Sequence, residues 1–94
     1  MYAAIRRYRT PDIQELSRRV REEFVPMIGD VPGFVGYYVV DGGDGAVASI
    51  TVCEDRAGAD ESTRRAAAWV NDRASDLIEG GPDVMAGEVV ASHS

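Results

Sequence analysis

The chain has 94 residues, enough for one domain and too few for two. At 45% hydrophobic and 28% charged it reads as globular. No apolar run approaches the roughly 20 residues of a membrane span. A net charge of −6 argues against nonspecific nucleic-acid binding, which depends on many phosphate contacts. The charge is uneven: residues 1–21 carry six arginines against Asp12 and Glu15, and the remainder carries four arginines against fourteen acids. The basic quarter either attracts an anionic small molecule or an acidic partner, or pairs with the acidic remainder of its own chain. The lone thiol, Cys53, excludes an internal disulfide framework. The arginines of MYAAIRRYR stand where a signal peptide has its apolar core, and together these features point to the cytoplasm.

Tyr2 to Tyr8 reads as the first strand, aromatic at both ends. Thr10 and Pro11 are expected to open a helix as N-cap and first helical residue. Its apolar stripe is Ile13, Leu16, Val20 and Phe24, and Gly29 ends it. After a turn at Val31-Pro32-Gly33, Phe34 to Val40 is the strongest strand signal, and residues 41–45 form a five-residue hairpin loop. Ala46 to Cys53 returns. Asp55 caps a second helix running to about Ile78, with Ala59, Ser62, Ala66, Trp69 or Val70, Ala74 and Leu77 on its inner side. Gly80-Gly81-Pro82 is expected to stop it, leaving Val84 to Ala91 as the last strand and a frayed end.

The order is β-α-β-β-α-β. It implies a single α+β domain over residues 1–94, with a four-stranded antiparallel sheet and two helices on one face. A sheet with one wet face should alternate apolar with polar, and these strands do so poorly. Phe34, Tyr38 and Val40 are set against Val35, Tyr37 and Val39; Ala46, Ala48, Ile50 and Val52 against Val47, Ser49, Thr51 and Cys53. Both faces therefore need cover. A homodimer packed sheet to sheet, enclosing a small cavity, supplies it.

Pro32-Gly33-Phe34 opening the second strand, the Asp55-Arg56-Ala57 helix entry and Trp69 late in the second helix resemble the dimeric α+β barrel superfamily, and most of all its antibiotic biosynthesis monooxygenase-like domains. The resemblance spans nearly the whole chain. It implies a ferredoxin-like fold and a dimer. The superfamily includes cofactor-free monooxygenases, haem degraders and many members without a known activity, so it leaves open whether this chain is an enzyme.

Composition suggests that Ala3, Ile5, Ala48, Ile50 and Val52 face the helices, so that Ala4, Arg6, Tyr8, Ser49, Thr51 and Glu88 share the cavity between subunits. There Arg6 either holds an anionic substrate oxygen or pairs with Glu88 on a neighbouring strand. One of Tyr37 and Tyr38 faces the cavity, and Tyr38 is preferred. The resemblance implies a cavity lined by Trp, Asn, Tyr and Arg, types present here as Trp69, Asn71, Tyr38 and Arg6. Trp69 serves equally well as a core residue, and Asn71, two residues on, lies on another helix face and is expected to be exposed.

His93, the one histidine, lies in the tail. That speaks against the haem-degrading branch, against His-dependent nucleophilic catalysis and against zinc. Cys53 reads as a buried strand residue. Residues 43–48 match a dinucleotide-loop pattern by letters, but a strand follows and not a helix. The activity that the resemblance implies is that of a monooxygenase-like enzyme, without metal or organic cofactor, on a small aromatic or polyketide-like compound. The alternative is a non-catalytic dimeric small-molecule-binding or stress-associated module. Arg6, Tyr8, Tyr38, Ser49, Thr51, Trp69 and Glu88 are the candidate substrate-binding residues, and no catalytic residue is assigned.

Overall fold

A computed structural model describes residues 1–93: β1 (Tyr2–Arg9), α1 (Ile13–Arg19), a π-helical turn (Val20–Phe24), α2 (Val25–Ile28), β2 (Phe34–Gly43), β3 (Ala46–Cys53), α3 (Arg56–Arg73), a 3-10 turn (Ser75–Leu77) and β4 (Glu79–Glu88). The strands form one antiparallel sheet in the order β2-β3-β1-β4, the ferredoxin-like arrangement. Leu16, Val20, Phe24 and Ile28 from the first helical stretch and Ala59, Ala66 and Trp69 from α3 are buried against one side of it. No helix among the described residues is long and apolar enough to cross a membrane.

Several local expectations are corrected. The N-cap of α1 is Asp12, whose side chain accepts from the Glu15 amide at 3.1 Å. Thr10 is buried and instead accepts from the Asp12 amide, so Pro11 lies outside the helix. Asp55 does cap α3, accepting from the Gly58 amide at 3.0 Å. That helix ends at Arg73, earlier than expected, although Ala74 and Leu77 continue its buried side. The expected five-residue hairpin loop is a two-residue turn. Asp44 and Gly45 both have positive φ (54° and 83°), as the hairpin turn that matches strand twist requires. Gly80, Gly81 and Pro82 do not precede the last strand but lie inside β4. This is an edge strand, where a missing amide leaves no ladder bond broken, and Gly80 (φ 77°) accompanies a register shift opposite Arg7 and Arg9.

The largest correction concerns which way the strands face. Ala4, Arg6, Val47, Ser49, Thr51 and Cys53 are buried beneath the helices. Ile5 stands opposite Ile50 and Met85, and Ile50 opposite Tyr38, so the open side carries the row Tyr38–Ile50–Ile5–Met85 across all four strands. The expected assignment is inverted. A bulge between Phe34 and Gly36 also puts Phe34 on the same side as Tyr37 and Val39, packed with the core. The cause is chemical: the polar row is tolerated inside because it bonds to itself and to α3, and the more apolar row is left outside.

Candidate functional site

Arg6 is the centre of the buried polar row, 1% exposed. Register places it opposite Ser49, with Thr51 two residues along β3, while the first half of α3 passes over the guanidinium. Nη2 donates to Ser49 Oγ at 3.1 Å and Thr51 Oγ1 at 2.7 Å. Nη1 donates to Ser62 Oγ at 3.3 Å and Thr63 Oγ1 at 3.1 Å. Ser62 Oγ in turn donates to the Ala59 carbonyl at 2.6 Å. Four hydroxyls thus surround a buried cation, and among the described residues no carboxylate pairs with it. Burial pushes the Arg6 guanidinium below its ordinary pKa, opposed by Tyr8 and Tyr37, yet an arginine keeps its proton in a protein. Nε of Arg6 is buried without an acceptor. The Trp69 indole N–H also has none at hydrogen-bond distance, but it lies toward Glu23, whose pKa it helps to lower.

Beside this cluster lies a small cavity between sheet and helices. Tyr8, Tyr37 and Ser49 form its polar corner; Phe24, Trp69 and Ile78 belong to its apolar wall. Phe24 packs on Tyr37 (ring centroids 5.2 Å) and on Trp69 (5.5 Å), both tilted. The Tyr37 hydroxyl is 2.9 Å from Ser49 Oγ. Burial pushes both phenols up: Tyr8 against the pull of Arg6, Tyr37 against the Ser49 hydrogen bond and Arg6. The cavity measures about 30 Å³, room for a single water. A cleft of about 440 Å³ at the end of the sheet, flanked by Arg7, Arg9, Glu79 and Asp83, shares Tyr8 and Val47 with it as a common wall.

The candidate residues therefore fall into three groups. Arg6, Tyr8, Ser49 and Thr51 lie on the helix side of the sheet, not on the face between subunits expected for them, while Trp69 packs in the core from the inner side of α3, as its helical spacing implies. Tyr38 is 60% exposed on the open face, and Tyr37 takes the interior position. Glu88 is exposed and opposite Tyr2, while the β4 residue opposite Arg6 is Val84, so neither a shared site nor an Arg6–Glu88 pair exists. Asn71 is exposed, as its spacing from Trp69 implies. Tyr37, the alternative to Tyr38, takes the interior place, and Phe24, Ser62 and Thr63 are site residues that the sequence reading does not assign. The one available signal was Ser62, a hydroxyl in an otherwise apolar helix stripe. The basic first quarter is largely paired at the surface: Arg7 with Asp83 at 3.4 Å, Arg18 and Arg19 with Glu15 at 2.6 and 2.9 Å, and Arg19 with Asp76 at 2.9 Å. Cys53 is buried, and burial raises its thiol pKa. No group of three potential metal ligands occurs among the described residues.

No family model matches the sequence, and no curated protein does. Solved structures do. The NE2512 protein of unknown function from Nitrosomonas europaea matches with a TM-score of 0.80 at 17% identity, covering 99% of this chain and 92% of that one. MhuD, as a mutant holding two manganese protoporphyrin IX per active site, matches at 0.76 and 20% identity, with 100% and 99% coverage. SnoaB, a cofactor-independent oxygenase from Streptomyces nogalater, matches at 0.69 and 15% identity, with 97% and 94% coverage. One architecture thus serves proteins of different or unknown chemistry, and the likeness establishes architecture. The chain has the fold of these proteins, shared also by a putative antibiotic biosynthesis monooxygenase from Nitrosomonas europaea.

Proposed function

We propose that the protein is a homodimeric, cofactor-independent monooxygenase-like enzyme acting on a small aromatic or polyketide-like compound with an acidic hydroxyl or enol. One observation carries the reading: a buried guanidinium faces four hydroxyls and no carboxylate, with its Nε lacking an acceptor. A buried charge is costly without a counter-charge, and donors outnumber acceptors here. An anionic oxygen in the adjacent cavity would supply the missing counter-charge. No carboxylate or imidazole lines the cavity, so the site suits a substrate acidic enough to arrive ionised. An ionised, electron-rich CH₂ compound can be oxidised by dioxygen to C=O, the second oxygen atom leaving as water. That stoichiometry needs no external reductant.

Porphyrin chemistry, as in MhuD, fits these residues poorly. The only histidine, His93, follows β4 in the tail, and the cavity of about 30 Å³ is far too small for a macrocycle. An aromatic substrate also exceeds that volume, so entry requires the cavity to open. The π-helical turn that carries Val20 and Phe24 is the element suited to yield, since such turns interrupt the regular helix ladder and gather at functional sites. The closed cavity is also what favours the second reading, a binding or stress-associated module without catalysis.

The homodimer is proposed from the open face. Tyr38 and Met85 are each 60% exposed and Val40 48%, beside half-buried Ile5, Ile50 and Val52. Several hundred Å² of such surface, at about 25 cal/mol per Å², favours a second copy by several kcal/mol. The lone buried thiol suits a cytoplasmic setting.

The test is dioxygen uptake by the purified protein across a panel of anthrones, 1,3-diketones and polyhydroxyaromatics. Uptake with the wild type and its loss in Arg6→Met support the enzyme. Tight binding with no uptake by any compound supports the binding module.

A further inference from the structure

We propose that Tyr37 is the residue that touches the anionic oxygen of the ligand, and that Arg6 acts on it at one remove through Ser49. The inference rests on the anionic-ligand reading above and specifies which atom makes the contact.

Either hydroxyl of the Ser49–Tyr37 pair can donate, and proton counting permits Ser49 as the donor, the direction taken here. A guanidinium has only donors, so at 3.1 Å Ser49 Oγ must accept from Arg6 Nη2. The single proton of Ser49 is then free to point at the Tyr37 oxygen, 2.9 Å away. With Tyr37 accepting from Ser49, its own proton is released to point into the cavity, whose wall it forms. Each member of the chain polarises the next, so the phenol at the end becomes a stronger donor than an isolated one. Arg6 itself is not part of the cavity wall, and its four hydroxyl partners hold it in place behind Ser49. The arrangement delivers positive potential to the cavity without placing the charge in it. Thr51, Ser62 and Thr63 anchor Arg6, and neither Thr51 nor Ser62 touches the cavity.

Other groups around Tyr37 are few. Arg6 and Tyr8 approach from β1, Arg21 from the π-helical turn borders the outer groove that Tyr37 also lines, and Asp41 lies further along β2. From α3 the cavity receives only Ala66, Trp69 and Val70. The Ser49 hydrogen bond and Arg6 both favour the ionised phenol, against burial.

The experiment uses full-length protein with 3-fluorotyrosine in place of its four tyrosines, which brings phenol titration below the alkaline unfolding range, read by fluorine NMR. Tyr37→Phe identifies the resonance. Ser49→Ala is expected to move the Tyr37 midpoint up by about one pH unit, as losing a hydrogen bond to a charged form implies. Ser49→Thr restores it. In a second arm 4-nitrophenol, whose anion is coloured, is titrated into unlabelled protein. The wild type is expected to bind the phenolate, and Tyr37→Phe to weaken that binding about tenfold or more, with a smaller effect on the neutral form. A Tyr37 midpoint indifferent to Ser49→Ala overturns the relay. Phenolate binding that is absent, or equal in wild type and Tyr37→Phe, overturns the contact. Tyr37-dependent phenolate binding without dioxygen uptake by any compound in the panel supports the assignment while removing the oxygenase reading.

Discussion

Tyr37 and Tyr38 are adjacent in β2 and serve opposite sides of the sheet. Tyr37 is half-buried under the helices with its hydroxyl on Ser49, and Tyr38 is 60% exposed opposite Ile50. A strand alternates sides at each residue, so the pair separates two roles that act independently. Tyr38→Arg places a charge in the proposed interface and is expected to convert a dimer into a monomer at micromolar concentration, because burying an unpaired charge costs several kcal/mol. Tyr37→Phe leaves the mass unchanged. Size-exclusion chromatography with light scattering reads both, and a wild-type monomer at that concentration would remove the dimer.

The elements were legible because their signals are local. Asp55 caps a helix where an acid precedes a helical stripe, and FVGYYVV reads as a strand on composition alone. Side choice was not legible, because it depends on partners far along the chain. The rule that apolar residues face the helices sends Ile5 and Ile50 inward. What reverses it is Ser62 and Thr63, 56 and 57 residues beyond Arg6, answering a cation that would otherwise be intolerable inside. Inverting the side moves Arg6, Tyr8, Ser49 and Thr51 together and brings them to Trp69, so the grouping survives except for Glu88 and Tyr38 while its location does not. The bulge at Phe34 and Gly36 exchanged Tyr38 for Tyr37, and a one-residue insertion in a ladder leaves no mark in the sequence.

Gly58 is the tightest point between α3 and the rest of the fold. A Cβ there would meet the Pro32 carbonyl oxygen at 2.4 Å and Cys53 Cβ at 3.0 Å. The first is backbone in a turn and cannot swing aside. Gly58→Ala is expected to destabilise the protein by about 2 kcal/mol or more. Gly29→Ala is the comparison. That residue ends α2 at φ −64° with nothing within 4 Å of the added carbon, so the change is expected to be neutral or stabilising by up to about 1 kcal/mol. Urea titration of both variants distinguishes them, and equal midpoints would contradict the packing.

Acid should loosen the clasp between α1 and the segment after α3. Hydrogen bonds from Arg18 and Arg19 hold the Glu15 carboxyl down at about 2, and Arg19 also bonds Asp76, whose pKa is lowered by the same contact. A folded pKa below the unfolded value means the unfolded chain binds more protons in acid. The contribution is therefore complete above the ordinary carboxylate range, near 4.5 for glutamate, and is lost as pH falls toward 2. Glu15→Gln should reduce the steepness of the stability decline in that window and change little at pH 7, since exposed pairs of this kind contribute modestly. Glu23 and Glu61, lowered by Arg73 and by Arg65 with Arg64, keep part of the slope in the variant. Thermal melts from pH 2 to pH 7 measure it, and an unchanged slope would mean the clasp is idle in solution.

Arg6→Met separates a structural tie from a binding group. If Arg6 serves mainly to fasten β1 to α3, its removal deletes four hydrogen bonds and should cost about 3 kcal/mol or more, the range for breaking a buried ionic cluster. If the guanidinium is held for a ligand, the ligand-free protein carries an uncompensated buried charge, and a thioether of similar reach relieves that cost. Ser62 keeps its bond to the Ala59 carbonyl and Ser49 its bond to Tyr37, so two of the four hydroxyls remain satisfied. The expected result is a stability within about 1 kcal/mol of the wild type, in either direction, accompanied by loss of phenolate binding. Chemical denaturation alongside the 4-nitrophenol titration gives both quantities on one preparation. A large loss of stability with binding retained in the folded fraction would assign Arg6 to the scaffold.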